Sequence, residues 1–283
     1  MTDRETLTKK AQALRDFHSG EKMLVLPCAW DAASARVFEL AGAKAIGTTS
    51  LGVAALFGQR DGQRIRFDDY LNLVRCITDL VDPPVTVDIE AGFADDPKEI
   101  AANMRAVLDA GAVGVNIEDL AHARNGSPSL VPVPAMLERL GAIRDMSRKF
   151  GVHLFINART DAVWQSPGKD PEAALQNAIE RGNAYGSAGA DCIFVPGHLD
   201  LAAVTRLVQS IRHPLNVVVK AKSPSLTELQ QAGVKRASLG SGPMRASLGL
   251  TRRIARECLS QGLYSTMIAE EIPLDEVENM FPD

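Results

Sequence analysis

The chain alternates short apolar runs with longer amphipathic segments. Short β-branched runs bounded by proline or glycine are typical of buried strands, and apolar residues spaced three and four apart are typical of outer helices. After a first helix over residues 5–19, eight strand-and-helix units follow one another. The predicted strands are 23–28, 44–49, 85–90, 112–118, 153–159, 191–195, 215–220 and 234–239, followed in turn by helices over 31–40, 67–81, 97–110, 134–150, 171–188, 199–211, 225–232 and 243–259.

Four of the joints between a helix and the next strand share an Ala-Gly step, at Gly42, Gly111, Gly189 and Gly233. Glycine there can adopt the left-handed conformation that ends a helix. Eight units with such short joints predict an α/β fold, a (β/α)₈ TIM-type barrel with extra N-terminal and C-terminal helices. A doubly wound open sheet is the alternative, but no Gly-x-Gly-x-x-Gly motif follows the first strand.

The repeat predicts one domain over residues 1–283, with a barrel core of about 20–250 and a helical extension over 251–283. Beyond the point where a closed barrel has an interior to receive them, the extension carries the apolar residues Leu263, Met267, Ile268, Ile272, Val277, Met280 and Phe281. These residues either pack on the chain's own barrel or dock on a neighbouring subunit, and the sequence leaves both open.

Composition narrows the class of protein. The chain is 46% hydrophobic and 23% charged, with a formal net charge of -4, so it lacks the basic surplus of a nucleic-acid binder. No apolar run approaches membrane length and residues 1–10 are too polar for a secretory signal, so we expect a cytoplasmic protein without membrane contact. The four cysteines are far apart, which indicates neither a disulfide framework nor a zinc site.

Acidic residues end two neighbouring strands. Asp88 and Glu90 lie on one face of the third strand because strand side chains alternate, and Glu118 and Asp119 end the fourth strand. Buried acids need a partner, and a hard divalent cation, Mg²⁺ or Mn²⁺, is the ligand that such an oxygen cluster prefers. The alternative is that these acids cap helices or pair with arginines.

Other polar residues fall at the same barrel end. Arg159, two residues after Asn157 on the fifth strand, can grip a carboxylate through two hydrogen bonds or form a salt bridge with one of the acids. Hydroxyls and backbone amides after the second strand can bind an anion. The candidate substrate-binding residues are Thr49, Ser50, Leu51, Gly52, Asn157 and Arg159, and Asp61 joins the acids from the following loop.

Together these residues predict a Mg²⁺ bound by the oxygens of a small 2-oxo acid whose carboxylate Arg159 holds. The chemistry expected of such a site is cleavage or formation of a C–C or C–P bond next to an enolpyruvate. Two alternatives remain open: a Schiff-base aldolase acting through Lys220 at the end of the seventh strand, and a metabolite-binding barrel without catalysis.

Five segments resemble the isocitrate lyase and phosphoenolpyruvate mutase superfamily, namely residues 27–35, 48–50, 87–93, 116–119 and 157–161. The resemblance implies a (β/α)₈ barrel, Mg²⁺ and a homotetramer or homodimer that exchanges a C-terminal helix. It implies that Asp88 binds the metal directly, that Asp61, Glu90 and Glu118 hold metal-bound waters, and that Ser50, the Leu51 backbone and Arg159 bind the substrate anion.

The chain departs from the characterised branches in the loop over residues 120–133. This loop lacks the cysteine and lysines of the lyases, Leu120 replaces the lysine of the mutases, and His122, Arg124 and Asn125 are what the loop offers instead. Glu90 also replaces the usual aspartate. We therefore expect a carbon–carbon lyase or decarboxylase acting on a small 2-oxo or 2-hydroxy dicarboxylate, with Asp61, Glu118 and Arg159 as catalytic residues. It would not be a standard isocitrate or methylisocitrate lyase; the alternative is a phosphonopyruvate mutase or hydrolase.

Overall fold

A closed barrel of parallel strands forms the centre of the molecule. The computed structural model describes residues 3–121, 129–165 and 170–282. Nine strands pair in the order β1-β11-β10-β9-β8-β5-β4-β3-β2. They are β1 (Leu24–Leu26), β2 (Cys28–Ala29), β3 (Ile46–Thr48), β4 (Val85–Asp88), β5 (Gly114–Glu118), β8 (Phe155–Arg159), β9 (Cys192–Phe194), β10 (Leu215–Val218) and β11 (Arg236–Ser238), while β6 (Leu120–Ala121) and β7 (Ser129–Leu130) pair separately.

The two ends of this sheet belong to one strand. Leu24 pairs with Arg236 of the last strand, whereas Cys28 pairs with Gly47 of the next strand, and Pro27 separates the two halves. Pro27 cannot donate a backbone hydrogen bond, but its carbonyl accepts one from the Gly47 amide at 2.8 Å. The sheet therefore closes into eight strands, and the predicted (β/α)₈ barrel is confirmed.

Helices surround the barrel in the predicted order. The helices of the described residues are α1 (Arg4–Ser19), α2 (Ala32–Leu40), α3 (Ser50–Leu56), α4 (Phe67–Leu80), α5 (Pro97–Asp109), α6 (Val133–Phe150), α7 (Pro171–Ser187), α8 (Leu201–Ser210), α9 (Leu226–Gln231), α10 (Gly242–Gln261), α11 (Ser265–Glu270) and α12 (Leu274–Asn279). The four predicted joint glycines all have positive φ, at 90° for Gly42, 92° for Gly111, 106° for Gly189 and 95° for Gly233. An L side chain is strained there, which explains why glycine ends these helices.

The N-terminal helix α1 covers the end of the barrel where the strands begin. Its buried face carries Leu7, Ala11 and Leu14. Leu14 packs so closely on the first residue of β5 that a Cβ on Gly114 would lie 2.8 Å from Leu14 Cδ2. This packing leaves the opposite end of the barrel, where the strands finish, to carry the chemistry.

Some elements were not predicted. The sequence interpretation took residues 49–52 for a loop, but α3 begins at Ser50, because an apolar segment packs its Gly52 against Trp30. The short pair of β6 and β7 was not predicted either, whereas α11 and α12 lie within the helical extension predicted over residues 251–283. The loop candidates His122, Arg124 and Asn125 lie outside the described residues. Within the described ranges, no helix combines the length and the apolar character needed to cross a bilayer.

His18 near the end of α1 makes the stability of the fold sensitive to acid. Its side chain is 2% exposed, with its ring centroid 4.2 Å from that of Phe155. Burial, with help from the positive charge of Arg236, lowers the pKa of His18 to about 3, so the imidazole is neutral in the folded protein. In the unfolded chain the imidazole takes up a proton below its ordinary pKa of about 6.5.

We therefore expect the free energy of unfolding to fall as the pH drops from about 6.5, because the unfolded state binds more protons in that window. Relative to His18→Leu, which carries no such group, the wild-type chain should lose about 1.4 kcal/mol for each pH unit between about 6 and 4. Urea unfolding of both proteins across this range measures the difference. A difference that does not change with pH would contradict the buried neutral imidazole.

Candidate active site

Four acids meet at the end of the barrel where the strands finish. Asp88 ends β4 and Glu118 ends β5, with 9% and 3% of their surfaces exposed, and Glu90 follows two residues after Asp88. The Glu118 amide donates to the Glu90 carbonyl at 2.9 Å, which holds the two residues side by side. Asp61, from the loop before α4, interacts electrostatically with Asp88 and Glu90. These four side chains are called the carboxylate cluster below.

The charges in the carboxylate cluster repel one another. Burial raises the pKa of Asp88 to about 6, with Arg159 opposing the rise and Glu118 and Asp61 adding to it. Burial, Asp61 and Asp88 raise the pKa of Glu90 to about 8. The cluster therefore holds more negative charge than its protein surroundings compensate.

Glu90 has a strained backbone, and its carboxylate is bound by a residue that the sequence did not point to. Its φ is 50°, and left-handed backbone costs a non-glycine residue on the order of 1 kcal/mol. The backbone amide of Gln63 donates to both carboxylate oxygens of Glu90 at 2.9 Å. The side-chain oxygen of Gln63, Oε1, accepts from the backbone amide of Phe93. Gln63 thereby ties the loop that carries Asp61 to the carboxylate cluster.

A second network fixes the backbone at Asp88. The Asp88 amide donates to Thr48 Oγ1 at 2.8 Å, and the Tyr70 hydroxyl donates to the Asp88 carbonyl at 2.8 Å. The two hydroxyls lie 3.1 Å apart. Tyr70 is buried on α4 and was not predicted, since a tyrosine at helical spacing has the same pattern as any core aromatic residue.

Arg159 lies between two acids. Its Nη1 is 2.9 Å from Glu118 Oε2, and its Nε donates to Asp161 Oδ1 at 2.9 Å. Although burial opposes it, the nearby Glu118 and Asp161 raise the pKa of Arg159 above its ordinary value. The salt-bridge alternative for Arg159 therefore describes this conformation, and a substrate carboxylate would share the guanidinium with Glu118.

Asp119 follows Glu118 but belongs to a different environment. Its Oδ2 accepts from Tyr185 Oη at 2.7 Å and from Arg181 Nη1 at 3.1 Å, both on α7. Its Oδ1 accepts from the Asp161 amide at 2.9 Å. Strand alternation directs Glu118 to the barrel mouth and Asp119 to the helix layer, so the arginine-pairing alternative holds for Asp119.

Asn157 lies in a polar layer inside the barrel and is fully buried. Its Nδ2 donates to Asn116 Oδ1 at 2.8 Å, and the same oxygen accepts from Arg236 Nη2 at 3.1 Å. The register pairs Asp88 with Asn116 and Asn116 with Asn157. Asn157 thus neighbours the site through this layer, and its predicted contact with substrate stays a prediction.

The predicted anion-binding segment forms the start of α3. Thr49 is buried, and the Ser50 amide lies 3.4 Å from Asp88 Oδ2 as a long hydrogen bond. A Cβ on Gly52 would lie 2.7 Å from Thr49 Cγ2 and 2.8 Å from Trp30 Cβ, so glycine is needed for packing. Leu51 is partly exposed beside them. The substrate contacts of Thr49, Ser50, Leu51 and Gly52 remain predictions.

The residues present fit a divalent cation. Asp88, Glu90, Glu118 and Asp61 provide only hard oxygen ligands, and their mutual repulsion is what a cation would relieve. No three histidine, cysteine or acidic side chains in the described ranges are already placed to hold a metal together.

The fold and this site together define a class of protein. A (β/α)₈ barrel that gathers acids and an arginine where its strands finish has the arrangement of an enzyme, because the active sites of such barrels lie at that end. A family model described as phosphoenolpyruvate phosphomutase matches residues 14–259. The chain belongs to this family, within the superfamily of isocitrate lyases and phosphoenolpyruvate mutases, whose members are lyases and mutases.

Individual relatives agree with that assignment. The chain is 28% identical to the 2-methylisocitrate lyase of Escherichia coli over 272 residues, covering 93% of this chain and 89% of the relative. A solved structure from Burkholderia cenocepacia J2315, provisionally assigned as a lyase or mutase, is 32% identical with a TM-score of 0.88, covering 97% and 96%. A phosphonopyruvate hydrolase solved with oxalate and Mg²⁺ is 22% identical with a TM-score of 0.83, covering 96% and 94%.

The opposite surroundings of Asp88 and Asp119 predict opposite effects of the same substitution. In metal-free buffer with EDTA at pH 8, Asp88→Asn should raise the free energy of unfolding by about 1 kcal/mol, because it removes a charge whose pKa burial raises to about 6. Asp119→Asn should lower it by about 3 kcal/mol, because it leaves Arg181 with a neutral partner.

Urea unfolding of both variants beside the wild-type chain measures these changes. Equal destabilisation by the two substitutions would contradict the separation into a strained cluster and a supporting ion pair.

Proposed function

We propose that this enzyme cleaves or forms a C–C bond next to the carbonyl of a small 2-oxo or 2-hydroxy dicarboxylate, with Mg²⁺ as its cofactor. The observation that carries the proposal is the carboxylate cluster beside Arg159, which offers a cation site and a carboxylate-binding group at one barrel mouth. The relative solved with oxalate and Mg²⁺ supports it, because oxalate has the two adjacent oxygen-bearing carbons of a 2-oxo acid. Mn²⁺ would serve in the same role.

Each residue has a distinct task in this proposal. Asp88 would hold the cation directly, while Asp61, Glu90 and Glu118 would hold it through waters. The cation supplies an electrophile for the oxygens of the 2-oxo acid. Arg159 binds the substrate carboxylate and orients it, and the amides at the start of α3 add donors to the same anion.

Proton movement would involve the carboxylates at the cluster's edge. Asp61 is the exposed member of the cluster. Glu118 Oε2 lies 2.9 Å from Arg159 Nη1, so this carboxylate adjoins the group that would hold the substrate. We therefore propose Asp61, Glu118 and Arg159 as the catalytic residues. Asp61 and Glu118 would act on water, and Arg159 would act on the substrate.

Lys220 offers a second candidate chemistry. Burial lowers the pKa of Lys220, which favours the neutral amine that a Schiff base requires. However, its Nζ lies 4.7 Å from the Trp164 ring centroid, a contact that stabilises the charged form. Borohydride trapping with a 2-oxo acid distinguishes the two: a covalent adduct at Lys220 would favour the aldolase.

The proposed function predicts the behaviour of Asp88→Ala. The wild-type enzyme should turn over at least one acid from a screen of oxaloacetate, phosphonopyruvate, methylisocitrate and related 2-oxo and 2-hydroxy acids, and should do so only with Mg²⁺ or Mn²⁺. Asp88→Ala should lose at least a hundredfold in kcat/KM, because the direct ligand is gone, and should keep its circular dichroism spectrum. Product analysis by NMR identifies the bond that breaks.

Asp95→Ala, in the exposed segment before α5, removes an acid outside the carboxylate cluster and should retain activity. Full activity of Asp88→Ala, or unchanged turnover in EDTA, would reject the metal role. Turnover of phosphonopyruvate alone would move the enzyme to the C–P branch. Tight binding of oxalate and Mg²⁺ without turnover of any acid would indicate a binding barrel.

We further propose a homo-oligomer assembled through the C-terminal extension. Met244 is the buried residue of the 20-residue helix α10, near its start. Beyond it the apolar residues are largely exposed, at 88% for Leu259, 53% for Ile268 and 74% for Leu274. So much apolar surface on successive helices is typical of a subunit interface. A dimer or a tetramer would cover it.

A chain shortened after Gly262 should therefore form a smaller assembly than the full chain. Light scattering coupled to size-exclusion chromatography measures both masses at matched concentration. The substitution Leu259→Glu in the full chain provides an independent disruption with the same expected loss of mass. A full-length protein that elutes as a monomer would contradict the proposal.

A further inference from the structure

Arg159 is held from three sides, which fixes the direction in which its guanidinium can bind an anion. Its Nε donates to Asp161 Oδ1 at 2.9 Å, its Nη1 lies 2.9 Å from Glu118 Oε2, and its guanidinium carbon lies 5.7 Å from the ring centroid of Phe194. Among the described residues, none accepts a hydrogen bond from Nη2. A substrate carboxylate would therefore approach the edge of the guanidinium that carries Nη1 and Nη2.

The two acids that hold Arg159 have different surroundings. Glu118 belongs to the carboxylate cluster, where the proposed cation would draw on its charge. Asp161 lies outside that cluster, two residues after Arg159, which ends β8, and its side chain is fully buried. Asp161 is therefore the partner of Arg159 whose charge the cation does not share.

The backbone around Asp161 is fixed through the helix layer. The Asp161 amide donates to Asp119 Oδ1 at 2.9 Å, and the Asp119 amide donates to the Arg159 carbonyl at 3.1 Å. Tyr185 and Arg181 of α7 bind Asp119 through its other carboxylate oxygen. A continuous series of contacts therefore runs from α7 through Asp119 to Asp161, and it sets the position from which Asp161 reaches Arg159.

The carboxylate of Asp161 is costly to the folded chain. Its Oδ2 is buried and has no hydrogen-bond partner among the described residues. Burial raises the pKa of Asp161 above its ordinary value, although Arg159 opposes the rise. A buried acceptor without a partner costs about 1–3 kcal/mol, so stability alone would favour a neutral residue at this position. The cost indicates that the carboxylate has a functional task.

From these features we infer that Asp161 is a positioning residue of the substrate site: it holds Arg159 by Nε and so keeps the edge with Nη1 and Nη2 available to the substrate carboxylate. The inference rests on the proposed function, from which it takes the carboxylate bound at Arg159. Without the contact at Nε, the guanidinium would turn to bind Glu118 through two nitrogens, because bidentate pairs of arginine and carboxylate are strong. The edge that the substrate needs would then be occupied.

Oxalate binding tests whether Asp161 sets the orientation of Arg159. Calorimetric titration of oxalate into protein saturated with Mg²⁺ compares the wild-type chain with Asp161→Ala, which removes the acceptor, and with Asp161→Ser, whose hydroxyl is too short to reach Nε. Both variants should bind oxalate roughly tenfold more weakly, because Arg159 no longer offers two nitrogens to it. Asp161→Asn keeps a carbonyl oxygen for Nε and should stay within about threefold of wild type.

Controls separate positioning from a loss of structure. Titration with Mg²⁺ alone should give dissociation constants within about threefold of wild type for every variant, since neither Asp161 nor Arg159 is a proposed metal ligand. Asp109→Ala removes an acid that accepts from Arg105 Nε at the same 2.9 Å on α5, and should change neither titration. Crystal structures of the wild-type chain and Asp161→Ala show the guanidinium directly, and in the variant two of its nitrogens should lie within hydrogen-bond distance of Glu118.

The outcomes distinguish the inference from the proposed function. If the wild-type chain does not bind oxalate with Mg²⁺, the proposed function fails. If it binds oxalate but Asp161→Ala and Asp161→Ser bind it equally well, or if the Arg159 guanidinium keeps its orientation in Asp161→Ala, the inference is wrong. An equal loss in Asp161→Asn and Asp161→Ala would also overturn it, by showing that the charge of Asp161 supports binding rather than its contact at Nε.

Discussion

Mutual repulsion among carboxylates at the barrel mouth is the constraint around which this protein is built. Parallel strands that finish side by side bring Asp88, Glu90 and Glu118 together, and Asp61 reaches them from a loop. Arg159 divides its guanidinium between Glu118 and Asp161, so it compensates only part of this charge. The remaining negative charge destabilises the folded chain when no ligand is bound. The same charge attracts a cation.

The surrounding structure holds the acids in place despite that repulsion. The Gln63 backbone amide holds the Glu90 carboxylate, and Thr48 and Tyr70 fix the backbone of Asp88. Behind them, Asp119 pairs with Arg181 and anchors the end of β5 to α7. Stable contacts in the helix layer thus offset strained ones at the mouth, the usual relation between a scaffold and its active site.

Most of the architecture could be predicted from the sequence, because the signals are local and repeated. Each barrel strand is a short apolar run, and each of four helices ends at a glycine whose φ the structure finds positive. Side-chain partners are harder to predict, since they depend on neighbours distant in sequence. Asp88 and Asp119 both end apolar runs, yet only the alternation along β5 and the position of Arg181 on α7 show that Asp119 is structural. Gln63 and Tyr70 carry no local signal of their role.

The interrupted first strand has a consequence for how the chain reaches its native state. Leu24 pairs with Arg236, which belongs to the last barrel strand to leave the ribosome, whereas Cys28 already has its neighbour in β3. Throughout synthesis, one flank of the N-terminal strand therefore presents unpaired backbone groups, as does the growing end of the sheet. Such edges invite pairing with other chains, so a nascent copy of this protein stays exposed to aggregation until its final strand emerges.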